Sequence, residues 1–163
     1  YSKINKNILI LDCDSFYTVD IIGLLEKQKH HCLINFIDLE KFRKQRKDHF
    51  KRALCPNGEW LIVHTSNFRE VKRIPDVIRV FHSVNIQKPS KLLMIGDGPE
   101  RSAAEQLVRD LGIHDHVRFL GKLEAVQEVL SLADLFLMPS EKESFGLAAL
   151  EAMACEVPAK SGP

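Results

Sequence analysis

No apolar run in the sequence approaches the ~18 residues of a membrane-spanning helix, and no signal peptide is visible, so neither a span nor secretion is expected. Charge of one sign is also missing. The 23 Lys and Arg meet 22 Asp and Glu, leaving a net charge of +1. That balance gives no global case for nucleic acid or an anionic membrane as a partner. Paired cysteines are lacking too: Cys13, Cys32, Cys55 and Cys155 are scattered, with no Cys-x-x-Cys. A structural zinc site is therefore not expected, and a reduced, cytoplasmic setting is. There is no internal repeat and no low-complexity tract. What remains is a chain of 163 residues, 45% hydrophobic and 28% charged, enough for one globular domain with a real core.

From residue 59 onward the pattern is regular. Short apolar runs at Trp60-Leu61-Ile62-Val63, Leu92-Leu93-Met94-Ile95, His116 to Leu120 and Asp134 to Met138 read as strands. Helical stretches lie between them: Pro75 to about Gln87, Glu100 to about Leu111 stopped by Gly112, and Glu124 to Leu132. Strands alternating with helices over short loops predict an α/β fold, a Rossmann-like parallel sheet with helices on both faces. Ligands of such sheets sit at the carboxyl ends of the strands.

Before residue 59 the sequence is less orderly. Ile8-Leu9-Ile10-Leu11 reads as a strand, and Ser15 to Lys27 as a helix capped by Ser15. The intervening Asp12-Cys13-Asp14 admits three readings: a polar strand end with a turn, a divalent-metal site, or a phosphatase nucleophile loop. Cys32 to Asp38 reads as a strand running into a turn. Residues 40–52 carry seven Lys or Arg against Glu40 and Asp48, which suits a solvated basic helix or linker. The expected division is 1–38, then 39–58 as the basic connection, then 59–163.

The most informative stretch follows the last of the four strands. Ser140-Glu141-Lys142-Glu143-Ser144-Phe145-Gly146 is a small polar loop, and Leu147 to Ala154 a helix-prone run. A strand that empties through such a loop onto a helix start is a ready anion site. Leu147 and Glu151 share a helix face, about 6 Å apart along the axis. A phosphate on the leading amides and a hydroxylated sugar on Glu151 would fit one ligand.

Glu143 and Glu151, with seven residues between them, resemble the paired-glutamate motif of retaining GT-B glycosyltransferases that use nucleotide sugars. The string Ser-Glu-Lys-Glu-Ser-Phe-Gly, then Leu-Glu-Ala-Met-Ala-Cys, is similar to the bacillithiol branch of that family. This branch implies UDP-N-acetylglucosamine as donor and L-malate as acceptor. The resemblance runs from about Cys32 to Pro158. It implies that Glu143 meets sugar hydroxyls, that amides from Ser144, Phe145, Gly146 and Leu147 take sugar or phosphate oxygens, and that Glu151 holds the ribose. Lys72 would offset charge on the leaving diphosphate. Gly98, in Gly96-Asp97-Gly98-Pro99, would form the turn beneath the nucleotide. Backbone groups near Lys122 and Leu123 would meet the nucleobase. No cofactor or metal is required in that scheme.

Several departures from the family pattern stand out. Asn67 occupies a position where the family has an Arg five residues before Lys72, leaving Arg69 or Arg73 to compensate. Glu156 stands where Gly is usual. Most of the N-terminal domain, which carries the acceptor site in this family, is absent, so the sequence resembles a fragment, expected to be inactive alone. The competing reading of Asp12, Asp14 and Asp97 is a phosphatase similar to the haloacid dehalogenases, with Asp12 as nucleophile. A third is a nucleotide-binding module without catalysis.

Overall fold

The computed structural model describes residues 9–12, 15–18, 37–45, 48–141 and 146–161. Strands β1 (Leu9–Asp12) and β2 (Ser15–Thr18) form an antiparallel hairpin, with Asp12 opposite Ser15. The helix expected from Ser15 therefore does not begin there. Aromatic Phe16 and Tyr17 and β-branched Thr18 favour a pleated strand over a helical first turn, and this preference outweighs the capping tendency of Ser15. Residues 19–27 of that expectation, the strand expected at 32–36, and Asp14 lie outside the described residues.

The main sheet holds β3 (Trp60–Thr65), β4 (Ser90–Ile95), β5 (Val117–Gly121), β6 (Leu135–Met138) and β7 (Ala159–Ser161). Its order is β5-β4-β3-β6-β7, and every neighbouring pair is parallel. The helices are α1 (Asp48–Leu54), α2 (Ile74–Gln87), α3 (Arg101–Asp110), α4 (Val126–Leu130) and α5 (Leu147–Ala154). Pro75 sits in the first turn of α2, where its missing N–H costs nothing.

Strand periodicity divides the core in two. Leu61, Val63, Leu93, Ile95 and Phe136 pack with Leu54, Leu130 and Ala152 of α1, α4 and α5. Ile62, Leu92, Met94 and Leu137 pack with Val77, Ile78 and Phe81 of α2 and Ala104 and Val108 of α3. Both sheet faces are covered, as a parallel sheet requires. Each fully buried Leu, Ile or Phe side chain contributes roughly 1.5–3 kcal/mol.

Two details differ from expectation. Trp60 begins β3 but is exposed, its ring covered by the Lys88 ammonium at 3.7 Å from the centroid. Helix α4 starts only at Val126, because Ala125 has a non-helical backbone (φ −103°, ψ 52°). The basic segment before β3 is attached to the sheet. Phe42 is buried in the core, and Asp134 accepts both the Lys51 ammonium and, at 2.9 Å, the Leu61 N–H.

Candidate functional site

The chain moves outward from β3 through β4 to β5, then crosses back to place β6 on the other side of β3. The direction of travel reverses between β3 and β6. The carboxyl ends of those two strands therefore flank the switch point, where an open α/β sheet usually presents its ligand crevice. One wall is the loop from Ser66 to Arg73. The other begins with Pro139 to Glu141, the described residues that follow β6.

These walls are joined directly. Glu141 N–H donates to the Val71 carbonyl at 3.0 Å. Lower down, the buried His64 ring reaches the Leu137 carbonyl through Nδ1 at 2.8 Å and the Ser66 hydroxyl through Nε2 at 2.8 Å.

The glycine turn after β4 is pressed against the first wall. A Cβ at Gly96 would lie 1.8 Å from the Ser66 carbonyl oxygen, and one at Gly98 would lie 2.0 Å from that of Asn67. Only glycine permits such backbone approach, so the close packing, and not merely a tight turn, selects both residues. The Glu100 N–H donates to the Phe68 carbonyl at 2.9 Å, closing the contact. Phe68 pays for its place with a left-handed backbone (φ 41°), and its side chain is wholly buried. It meets Phe119 edge-on at 6.3 Å between centroids.

Lys72 ends a short 3₁₀ turn, Glu70–Lys72, and is partly buried. Asn67 and Arg69 are exposed on the same loop. Arg73, which precedes α2, is paired with Asp76. Lys122 and Leu123 are exposed just beyond β5. The strand bulges before its end: Met94 pairs with Phe119 but Ile95 with Gly121, leaving Leu120 as the additional residue. The Gly121 carbonyl then accepts the Gly96 N–H at 2.7 Å, tying the segment expected at the base to the glycine turn.

Gly146 precedes α5 in the left-handed conformation (φ 70°), and among the described residues no side chain caps the helix. The first intrahelical bonds run from Ala149 and Leu150 to the Gly146 carbonyl. The leading amides at Leu147 and Ala148 thus point past the helix start, with the positive end of the dipole behind them. Leu147 is exposed and Glu151, one turn on, is half-buried. Burial pushes the Glu151 carboxyl above its ordinary value, and the Lys41 ammonium partly opposes this. Glu143, Ser144 and Phe145 lie outside the described residues.

The structure thus packs Gly98 against Asn67 and ties the loop that bears Lys72 to Glu141, just after β6. It also adds His64 and Ser66, which sequence reasoning passed over. Asp12 does not join them. It closes β1, whose strand partner is β2, whereas Asp97 follows β4 of the main sheet. The phosphatase arrangement, which needs both at one sheet edge, is not supported.

A parallel sheet in this order, with its crevice between β3 and β6, is the Rossmann-like unit found in GT-B glycosyltransferases. Residues 45–159 match the model of the family described as Glycosyl transferases group 1, and the chain belongs to that family. It is 47% identical over 125 residues to N-acetyl-alpha-D-glucosaminyl L-malate synthase of Bacillus anthracis, covering 76% of this chain and 33% of the relative. Anabaena HepE, solved with UDP and glucose, has a similar fold (TM-score 0.70, 22% identity), covering 79% of this chain and 37% of that one. So does the C-terminal domain of a group 1 glycosyl transferase, LpcC, from Francisella tularensis (TM-score 0.67, 21% identity), covering 77% of this chain and 69% of that one. The chain spans about a third of the length of the first curated relatives it matches.

Proposed function

We propose that residues 59–163 form the nucleotide-sugar-binding unit of a retaining glycosyltransferase, with UDP-N-acetylglucosamine as donor and L-malate as acceptor of the whole protein. The observation that carries this reading is the joined crevice between β3 and β6. Lys72 stands on one side of it, and on the other the chain leads to α5, whose start has no side-chain cap among the described residues. A diphosphate needs both kinds of compensation. The named relative from Bacillus anthracis supports the choice of sugar and acceptor.

In this reading Lys72 stabilises charge developing on the leaving diphosphate. Glu151 accepts from the ribose hydroxyls, and Glu143 orients the hexose. Amides from Ser144 to Leu147 bind phosphate and sugar oxygens, Gly98 lets the nucleotide lie close to the turn, and the backbone at Lys122 and Leu123 meets the base. Asn67 supplies a neutral hydrogen bond where a cation is usual. The acceptor approaches from a facing domain, whose role is to supply proximity and orientation. A cytoplasmic location accords with a nucleotide-sugar donor.

Calorimetric titration of the chain with a panel of nucleotide sugars, in the presence of a chelator, tests the reading. Preference for UDP-N-acetylglucosamine over GDP- and ADP-sugars is the expected result. Binding of none of them would overturn it.

A further inference from the structure

His64 is completely buried at the carboxyl end of β3, on a strand otherwise filled with Leu61, Ile62 and Val63. A buried imidazole in such a place costs free energy unless its nitrogens are matched. Here the matching has a direction. A carbonyl only accepts, so Nδ1, 2.8 Å from the Leu137 oxygen, carries the hydrogen. In the neutral ring Nε2 is then the acceptor, and the Ser66 hydroxyl at 2.8 Å donates to it. Ser66 Oγ in turn accepts the Phe68 N–H at 3.3 Å. A single polarised chain runs from Phe68 through Ser66 and His64 to Leu137.

Its two ends matter. Phe68 is the left-handed residue at the centre of the Asn67–Lys72 loop, and such a backbone persists only where its surroundings hold it. Leu137 lies in β6, just before the loop that leads to α5. The chain therefore fixes the spacing of the two crevice walls from beneath, while the Val71–Glu141 bond fixes it above.

We propose that His64 is a positioning residue for the diphosphate: through Ser66 and Leu137 it holds both walls at the separation that one diphosphate bridges. This rests on the nucleotide-site reading above. His64 touches no ligand. Its loss spreads the walls and weakens contacts that use both of them, and leaves the base and ribose contacts in place.

The test is titration of the chain with UDP and with uridine, using His64→Phe, Ser66→Ala and the double variant, each first checked for cooperative thermal unfolding. His64→Phe should lower UDP affinity by about tenfold, the scale of one or two lost hydrogen bonds, with uridine affinity unchanged. Ser66→Ala, a milder change, should reduce UDP affinity in the same selective way and keeps the test open if the Phe variant fails to fold. The double variant should be no worse than His64→Phe, since both residues act in one chain. In the unaltered protein, nitrogen-15 correlation spectra should show the hydrogen of the His64 ring on Nδ1. A purely structural role would lower the melting temperature without separating the two ligands. Unchanged UDP affinity in both single variants, or equal loss for UDP and uridine, overturns the inference while leaving the nucleotide site standing. Failure of the unaltered chain to bind either ligand overturns both.

Discussion

The Val71 carbonyl accepts the Glu141 N–H at 3.0 Å, so the loop bearing Lys72 is tied to the segment that follows β6. This follows from the crossing of the chain back past β3, which makes neighbours of segments far apart in sequence.

Lys72 should therefore discriminate by charge. In Lys72→Ala, UDP loses a charge-assisted hydrogen bond worth roughly 1.5–3 kcal/mol, while uridine, which has no phosphate, loses nothing. Titration should show UDP affinity falling by about one to two decades. Equal losses for both ligands would remove Lys72 from the phosphate site.

The end of α5 makes a prediction about stability alone. Glu156 has φ 59°, its N–H donates to the Met153 carbonyl, and Val157 N–H donates to that of Ala152. This is the Schellman arrangement, in which the left-handed position favours glycine. Glu156→Gly should stabilise the chain by about 1 kcal/mol. The gain would be read as a higher denaturant midpoint with an unchanged slope. A lower midpoint would mean that the glutamate side chain contributes more than its backbone strain costs.

Two carboxylates should give opposite pH dependences. Burial raises the Glu151 carboxyl, so the folded chain holds that proton more tightly than the unfolded one. The stability linked to Glu151 is greatest at acid pH and falls as pH rises through the interval between the unfolded and folded values. Glu151→Gln should then be the more stable protein at neutral pH and lose its advantage in acid. Glu59 is held low chiefly by its own backbone N–H, with burial opposing and Asn57 assisting. Its contribution is present above the ordinary carboxylate value and is lost as pH falls through the lowered one. Glu59→Gln should destabilise at neutral pH and converge on the parent in acid. Parallel pH profiles for both variants and the parent would contradict these assignments.

Gly98→Ala should disrupt the turn and the site together. Its Cβ would collide with the Asn67 carbonyl, a backbone atom that can move only with the whole loop. Overpacking of this kind costs about 1–3 kcal/mol. Thermal unfolding and UDP titration should both register it. Retention of full stability and affinity would show that the loop moves aside at no cost.

Much of the fold was legible because the signal was local. Four apolar runs, Pro75 at a helix start and Gly112 at a helix end set β3 to β6 and the bounds of α2 and α3. At the contiguous stretch from Ser140 to Glu151, what the structure bears out is the helix expected from Leu147 to Ala154. What escaped depends on partners remote in sequence. The bulge at Leu120 exists only against the register of β4. His64 reads as an ordinary strand residue until Leu137 is beside it, although a lone His-Thr-Ser after Leu-Ile-Val was a polar signal at the strand end. At Ser15 two local preferences competed, and the aromatic pair Phe16-Tyr17 marked the strand that formed.

The two glutamates carry the central claim. Glu151 is proposed to hold the ribose and Glu143 the hexose, so their loss should be felt by different ligands. The measurement is calorimetric titration of Glu151→Ala and Glu143→Ala with UDP, its deoxyribose analogue and UDP-N-acetylglucosamine. Glu151→Ala should weaken UDP by about one to two decades, with a smaller effect on the deoxyribose analogue that lacks the contacted hydroxyl. Glu143→Ala should leave UDP unchanged and weaken only the sugar nucleotide. If both variants fold and bind all three ligands as the parent does, the pair is a solvated surface feature and the nucleotide-sugar site is not where this account puts it.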